Sequence, residues 1–400
     1  MRILVLFTRD LRVHDHPALS AACRAGNEVE PLFVLDPRML RVSANRSRFL
    51  VDALRDLDAS LARRGARLVI RSGDPGRVAV DEALRHGCDA IHLTADVTGP
   101  ARRRLASLRR GPVPVRSFPG HGVVEPGAVA PAGRPAYRVF TPYARAWFAT
   151  DRRPVLRAPA SVVPIPEVDH GIHPSADELP PGAPHLPAGG ESEGRARLTR
   201  FLRRGPHRYG ADRDDLAADA TSRLSAFLRF GCLSATQVAE RAETHPESRA
   251  FLRQLAWRDF FLQLVAADPA LTHEDLRPER ASAWRRDRVA FDAWREGCTG
   301  VRIVDAGMRQ LLAEGWMPNR ARLITASFLT RTMAVDWRWG AAHFAEHLVD
   351  GDPASNAGNW QWVAGTGASP RRGIAMNPDR QAARFDPDGA YRARWLDRER

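Results

Sequence analysis

The chain has 400 residues, 44% hydrophobic and 27% charged. That is too long for one ordinary core and too apolar for a disordered chain, so two domains are expected. Basic residues outnumber acidic ones by 60 to 47, a formal charge of +13 that suits a polyanionic partner, although any arginine-rich surface has the same balance.

Lysine is absent, so every one of the 60 basic residues is arginine. Schiff-base, pyridoxal-phosphate, lysine-adenylate and Walker A chemistry are thereby excluded. Cofactor phosphates would have to be held by arginine, hydroxyls and backbone amides. No stretch approaches the roughly 18 apolar residues of a membrane span. Met1 to Phe7 is followed at once by Arg9, Asp10 and Arg12, which is unlike a secretion signal, so a cytoplasmic location is expected. Cys23, Cys88, Cys232 and Cys298 form no CxxC pair, the histidines are scattered without an HExxH, and no metal is expected.

Apolar runs at Ile3–Phe7 and Leu32–Leu35, with weaker ones at Leu68–Ile70, Ala90–Leu93 and Val113–Val115, read as buried strands. Amphipathic stretches such as Arg48–Arg63 lie between them. The alternation predicts an α/β domain with a doubly wound parallel sheet over residues 1–130. No GxGxxG follows the first strand, which disfavours a nicotinamide dinucleotide site. Prolines at 154, 159, 164, 166, 174, 180, 181, 184 and 187 mark a connector within 131–195. The remainder, 196–400, reads as all-α, with helices at Thr199–Leu202, Ser222–Phe230, Ala235–Glu243, Ser248–Ala267, Val301–Glu314, Asn319–Met333 and Ala341–Asp350. Nine of the ten tryptophans follow residue 200. Most such indoles build core, but some could form a redox relay or a base-stacking platform.

Four segments carry candidate chemistry. Asp219–Ser225 places three hydroxyls and an arginine at a helix start, which can cap the helix or bind phosphate. Gln254, Trp257, Arg258 and Phe261 share one helix face, combining an amide that can read a base edge, a stacking indole and a guanidinium. In Gly315–Arg322, Asn319 is a plausible N-cap and Arg322 can pair with a buried carboxylate. Leu348–Trp362 holds two aspartates and two asparagines without EF-hand spacing, which suits hydrogen bonding to a heterocycle.

Together with Phe7–Arg12, Thr221–Ser225, Gln254–Phe260, Val304–Gln310, Asp336–Gly340 and Asn359–Trp362, these segments resemble the photolyase/cryptochrome family, most nearly its bacterial cyclobutane pyrimidine dimer photolyases. The resemblance implies that the helical domain binds FAD. Tyr209, Thr221, Ser222, Arg223, Leu224 and Ser225 would hold its phosphates and ribityl chain, with Phe251, Gln254, Arg258 and Asn319 alongside. Arg322 and Asp350 would form an ion pair beside the ring, with Gly351 and Asp352 at its polar edge and Asn356 near N5. Trp360, Trp337 and Trp284 would be the electron-transfer chain. Trp257 and Trp362 would sandwich a flipped-out dimer in UV-damaged DNA, while Gln254, Arg258, Asn319 and Arg320 contact the lesion or its phosphates. A second, antenna chromophore (folate, deazaflavin or flavin) accompanies FAD in relatives, and no residues here are assigned to it. A monomer is expected.

The chain departs from the family pattern in places. Gln254 stands where dimer-splitting members usually carry Glu, and an amide cannot carry negative charge or transfer a proton. Relatives that repair (6-4) lesions also use an amide there, but they have histidine where Pro318 stands, so (6-4) repair is disfavoured. Phe251 replaces a frequent Trp, Ala226 a frequent Pro, and Ser369–Met376 a usual Tyr-Phe-Arg run. The expected activity is light-driven splitting of cyclobutane dimers. The alternatives are a cryptochrome-like blue-light receptor, favoured by Gln254 and disfavoured by the lack of a long tail after Phe385–Asp388, and a flavin reductase, for which no nicotinamide site is found.

Overall fold

The structure, a computed structural model, describes all residues except 25, 370–372, 374 and 398–400. Part of the Ser369–Met376 departure therefore lies outside the described residues.

Five short strands form one parallel sheet: β1 (Arg2–Phe7), β2 (Glu28–Leu35), β3 (Val69–Ser72), β4 (Ala90–Thr94) and β5 (Val115–Phe118), in the order β3-β2-β1-β4-β5. Ile3 of the central strand lies opposite Val29 on one side and Ala90 on the other. Side chains alternate between two cores. Ile3, Val5 and Phe7 pack with Phe49, Leu54 and Leu57 of the Ala44–Ala62 helix. Leu4 and Leu6 pack with Ala79, Ala83 and Leu108 from the helices Pro75–Arg85 and Gly99–Arg109. Burial on both faces is why these strands read as unbroken apolar runs. The last strand begins at Val115 rather than Val113, because Pro114 can accept from Ile91 N (2.8 Å) but has no N–H to continue a ladder.

The strand order reverses between β1 and β4, and the loops that follow them open a crevice. Arg9 and Asp96 meet in it at 3.4 Å.

Beyond Glu191 the regular structure of the described residues is helical, apart from an isolated bridge between Arg285 and Val335. The expected helices appear as Glu191–Arg204, Ser225–Phe230, Ala235–Glu243, Arg249–Ala267, Arg302–Glu314, Asn319–Ser327 and Trp337–His347. After Ser327 the expected α-helix widens into a π-helical turn, Phe328–Thr332, where Thr330 Oγ1 donates to Ala326 O at 2.7 Å. Arg288–Arg295, Pro353–Ala364, Pro378–Phe385 and Ala390–Leu396 are helices that the sequence reading did not place; the first and third are short but strongly amphipathic, whereas Pro353–Ala364 lacks apolar periodicity.

Between the two parts, Phe140–Ala149 is a helix that packs on Arg249–Ala267. Residues 150–190 contain the 3-10 turn Ala176–Glu178 and an isolated bridge from Pro164 to Val29, and run as a strap along the sheet domain. Val29 N donates to Val163 O (2.7 Å) and Ile70 N to His170 O (2.9 Å). One core spans both parts: Phe49 contacts Phe227 and Phe230, with ring centroids 5.3 and 4.7 Å away. No described helix is long and apolar enough to cross a membrane.

Candidate functional site

A cavity of about 1690 Å³, open to solvent, enters the helical part. The Arg249–Ala267 helix supplies one wall with Phe251, Gln254, Trp257, Arg258 and Phe261, so the face read from helical spacing does converge. Tyr209 joins that wall beside Phe251, and the Thr221–Ser225 loop, Asn319, Arg320, Arg322, Asp350, Asp352 and Trp362 complete the lining. The void continues into a recess of about 490 Å³, to which Gly351, Asn356 and Trp360 are added.

The floor is electrostatic. Arg322 grips Asp350 with two bonds, Nη1 to Oδ1 at 3.1 Å and Nη2 to Oδ2 at 2.8 Å, and its Nε donates to Met317 O at 2.9 Å. Asp350 is buried, so the fork supplies the partner that a buried charge needs. Asp352 Oδ1 caps the Pro353–Ala364 helix by accepting from Ser355 N at 2.9 Å, while Oδ2 pairs with Arg9. Burial alone would raise the Asp352 carboxyl, but Arg9 and Arg258 overcome it and hold it below the usual range.

Behind this turn lie three arginines that sequence reasoning gave no role. Arg9 bridges Asp96 and Asp352, Arg46 donates to Ala345 O and Leu348 O, and Arg229 Nε donates to Gly351 O at 3.4 Å. Gly351 is small for a reason: a Cβ there would sit 2.8 Å from Arg46 Nη1. Desolvation pushes the Arg46 guanidinium down to about 10, and desolvation with repulsion from Arg9 and Arg46 pushes Arg229 down to about 9. Only Arg9 carried a signal, as part of Phe7–Arg12.

At the cavity wall, Trp257 stacks on Phe140 with centroids 3.6 Å apart and planes 6° off parallel, and it also meets Phe261 and Phe260, each at 5.6 Å. Arg258 lines the cavity, yet its Nη1 donates to His121 O at 2.6 Å and is committed to bracing the sheet domain. Its neighbour Asp259 turns inward to accept from Val123 N, Val124 N and Trp147 Nε1. Arg320 pairs with Asp214 at 2.9 Å and lies over the Phe385 ring. Asn319 is the first helical residue rather than the cap, because the preceding Pro318 holds the extended cap conformation.

The hydroxyl loop precedes its helix instead of opening it, since the helix starts at Ser225 without a side-chain cap. Asp219 and Arg223 adopt left-handed φ of 47° and 49°, a costly backbone for non-glycine residues. Arg223 is pinned by Asp219 (2.7 Å), Glu314 (3.2 Å) and the Trp316 ring (4.2 Å). Thr221 Oγ1 is buried without a partner. Tyr209 packs edge-on to Phe251 at 5.5 Å, and burial pushes its phenol up to about 12. Asn356 Nδ2 donates to Ala341 O at 2.9 Å, fixing its amide in the recess wall.

Of the three expected relay indoles, Trp360 lies in the recess wall with its Nε1 buried and unpaired. Trp337 is buried and donates to Asp275 Oδ1 at 2.9 Å, and Trp284 is half-buried. The ring neighbours of Trp360 include Phe344 at 5.0 Å and Trp294 at 6.0 Å. Trp294 continues through Phe291 to Trp339, an aromatic file to which the sequence assigned no role.

A deep cavity with a buried ion pair, a hydroxyl-rich loop, and orphaned polar atoms at Thr221 and Trp360 fits an extended, hydrogen-bonding dinucleotide. Residues 251–399 match the family profile described as the FAD binding domain of DNA photolyase, and residues 3–164 the one described as DNA photolyase. The chain is also 44% identical over 404 residues to the deoxyribodipyrimidine photo-lyase of Streptomyces griseus, covering 98% of this chain and 89% of that one. The chain belongs to the photolyase/cryptochrome family. Its helical domain is an FAD-binding domain, and its sheet domain is the α/β domain of the family. A cryptochrome DASH of Gloeobacter violaceus is 35% identical, with 98% and 85% covered. Among solved structures, the bacterial class III photolyase of Agrobacterium tumefaciens superposes with a TM-score of 0.90 at 34% identity, over 99% and 86% of the two chains. The archaeal photolyase of Sulfolobus tokodaii, which holds two FAD molecules, does so with 0.86 at 30% identity, over 99% and 90%.

Proposed function

We propose that this protein is a deoxyribodipyrimidine photo-lyase that splits cyclobutane pyrimidine dimers in DNA under light. The observation that carries the reading is that a base-stacking rim, Trp257 and Trp362, and a buried ion-paired floor, Arg322 and Asp350, border one continuous cavity. FAD bound there supplies light absorption and a transferable electron. The protein supplies position and dryness. Tyr209 and Thr221–Ser225 take the phosphates and ribityl chain, with Phe251 closing the apolar side. Arg322, Asp350, Gly351, Asp352 and Asn356 surround the polar edge of the ring. Trp360, Trp337 and Trp284 are assigned to single-electron supply.

A dimer pairs poorly, so extruding it from the duplex costs less than extruding a sound base. Trp257 and Trp362 then replace the lost stacking, and Gln254 and Asn319 hydrogen-bond the exposed edges. Arg258 and Arg320, held by His121 O and Asp214, line the cavity beside the lesion, and the rest of the arginine excess binds the strand's phosphates. The test is illumination of reduced, FAD-loaded protein with a dimer-containing oligonucleotide. Restored thymine supports the reading. Its absence leaves a photoreceptor, the role that Gln254 in place of an acid favours.

A further inference from the structure

The helix Trp337–His347 ends in His343-Phe344-Ala345-Glu346-His347, and its last turn gathers three groups unconnected with the cavity. One ring nitrogen from each of His343 and His347 and one carboxylate oxygen of Glu346 lie within 4.8 Å of one another. The two rings are 4.4 Å apart. His343 is only 7% exposed, and its Nε2 is buried without a hydrogen-bond partner. Among the described residues His347 accepts through its backbone carbonyl from Asn45 Nδ2, while no hydrogen bond or ion pair engages its ring or the Glu346 carboxylate. Buried imidazoles are normally satisfied, so an unpartnered one beside a second imidazole and a carboxylate points to a missing electrophile.

We propose that His343, Glu346 and His347 form a divalent transition-metal site. Two imidazoles and one carboxylate select Zn²⁺, Ni²⁺ or Cu²⁺ over Ca²⁺ and Mg²⁺, which prefer all-oxygen shells. Positions i and i+4 put both histidines on one helix face, with Glu346 at i+3 beside them. The site occupies the final turn, whose carbonyls are already engaged, Ala345 O by Arg46 and His347 O by Asn45, so the three side chains and not the helix end would hold the ion. Arg295, the nearby positive charge, is already matched to Asp292 (3.0 Å) and Glu296 (3.4 Å). Glu346 is exposed and His347 half-buried, so an ion reaches the site from solvent and keeps water in its remaining positions. The other three-residue cluster, Glu30, Glu82 and His86, is different: His86 bonds Glu30 at 2.7 Å and arginines occupy Glu82, so its ligands are spent.

The His343 ring lies 5.6 Å from Trp294, which in turn contacts Trp360 of the recess wall. A bound ion is thus two aromatic contacts from the cavity.

The experiment is calorimetric titration of tag-free, chelator-stripped protein with Zn²⁺, followed by Cu²⁺ electron paramagnetic resonance. One equivalent of Zn²⁺ should bind, with Cu²⁺ tighter, and the Cu²⁺ spectrum should show hyperfine structure from two nitrogens. Outer-sphere changes alone weaken metal sites by about 10–100-fold, so losing a ligand in His347→Gln should cost at least that. Glu346→Gln should weaken binding less, and His86→Gln should leave it unchanged. His347 is half-buried, so a circular dichroism spectrum identical to the parent protein's shows that loss of binding is not loss of fold. No saturable uptake, uptake unaffected by His347→Gln, or an oxygen-only Cu²⁺ spectrum overturns the proposal.

Discussion

Removing either partner of the floor ion pair should destabilise the helical domain unequally, because the two charges are unequally buried. The Arg322 side chain is 24% exposed and keeps its bond to Met317 O, whereas the Asp350 side chain is 3% exposed. Arg322→Met leaves the carboxylate away from water with only the unbonded charge of Arg46 near it, and breaking a buried pair in this way costs about 3–5 kcal/mol. Asp350→Asn strands a guanidinium that solvent partly reaches and leaves an amide oxygen to accept, so about 2 kcal/mol is expected. At about 2–4 °C per kcal/mol for a domain of this size, the two variants should melt several degrees apart. Urea unfolding of both single variants and the double variant, each with and without FAD, measures the effect. The double variant should be more stable than the sum of the single losses implies, by more than about 1 kcal/mol. Equal losses, or additivity within about 0.5 kcal/mol, would refute the reasoning.

Gly340→Ala would place a Cβ 2.2 Å from the Trp360 ring and 2.7 Å from Leu329 Cδ2. It should cost about 1–3 kcal/mol by overpacking and shift the bound flavin's absorption bands; an unchanged spectrum with full stability would count against a tight recess. Trp257→Ala should weaken binding of a dimer-containing oligonucleotide by the about 1–3 kcal/mol of one stacking contact, while FAD retention on gel filtration stays unchanged. Burial pushes His121 from 6.5 down to about 4, against the pull of Asp96 and with repulsion from Arg9 and Arg258. Between those values the unfolded chain binds a proton that the folded one excludes, so stability should fall as pH drops through that window, by roughly 3 kcal/mol at most. His121→Gln should flatten that limb of the stability–pH curve, and a curve parallel to the parent protein's would show that another group sets it.

Most of the cavity wall was legible because helical spacing is local. Gln254, Trp257 and Arg258 had to share a face once their segment was a helix, and residues of a core helix would not read polar there. Arg322 and Asp350 were legible as chemistry, a guanidinium in need of a carboxylate, although 28 residues separate them. The Pro353–Ala364 helix was hidden because its asparagines, serine and glycine mask apolar periodicity. Its start was nonetheless written in Asp352-Pro353, a capping acid before a proline at the first helical position. His343 and His347 share one helix face through their i, i+4 spacing, a signal that the HExxH pattern does not capture.

Local patterns in the chain determined the parallel sheet, the helical second half and the motifs that line the cavity, since strand burial and helix faces follow from nearest-neighbour geometry. Tertiary structure alone decided which charges are free. Arg258 and Arg320 look alike in the sequence as cations for DNA, yet one is committed to the His121 carbonyl and the other to Asp214. Arg9, Arg46 and Arg229 come from distant segments to meet behind Gly351. A side chain's residual charge depends on what folding brings within a few ångströms of it, and composition counts the charges without saying which are neutralised.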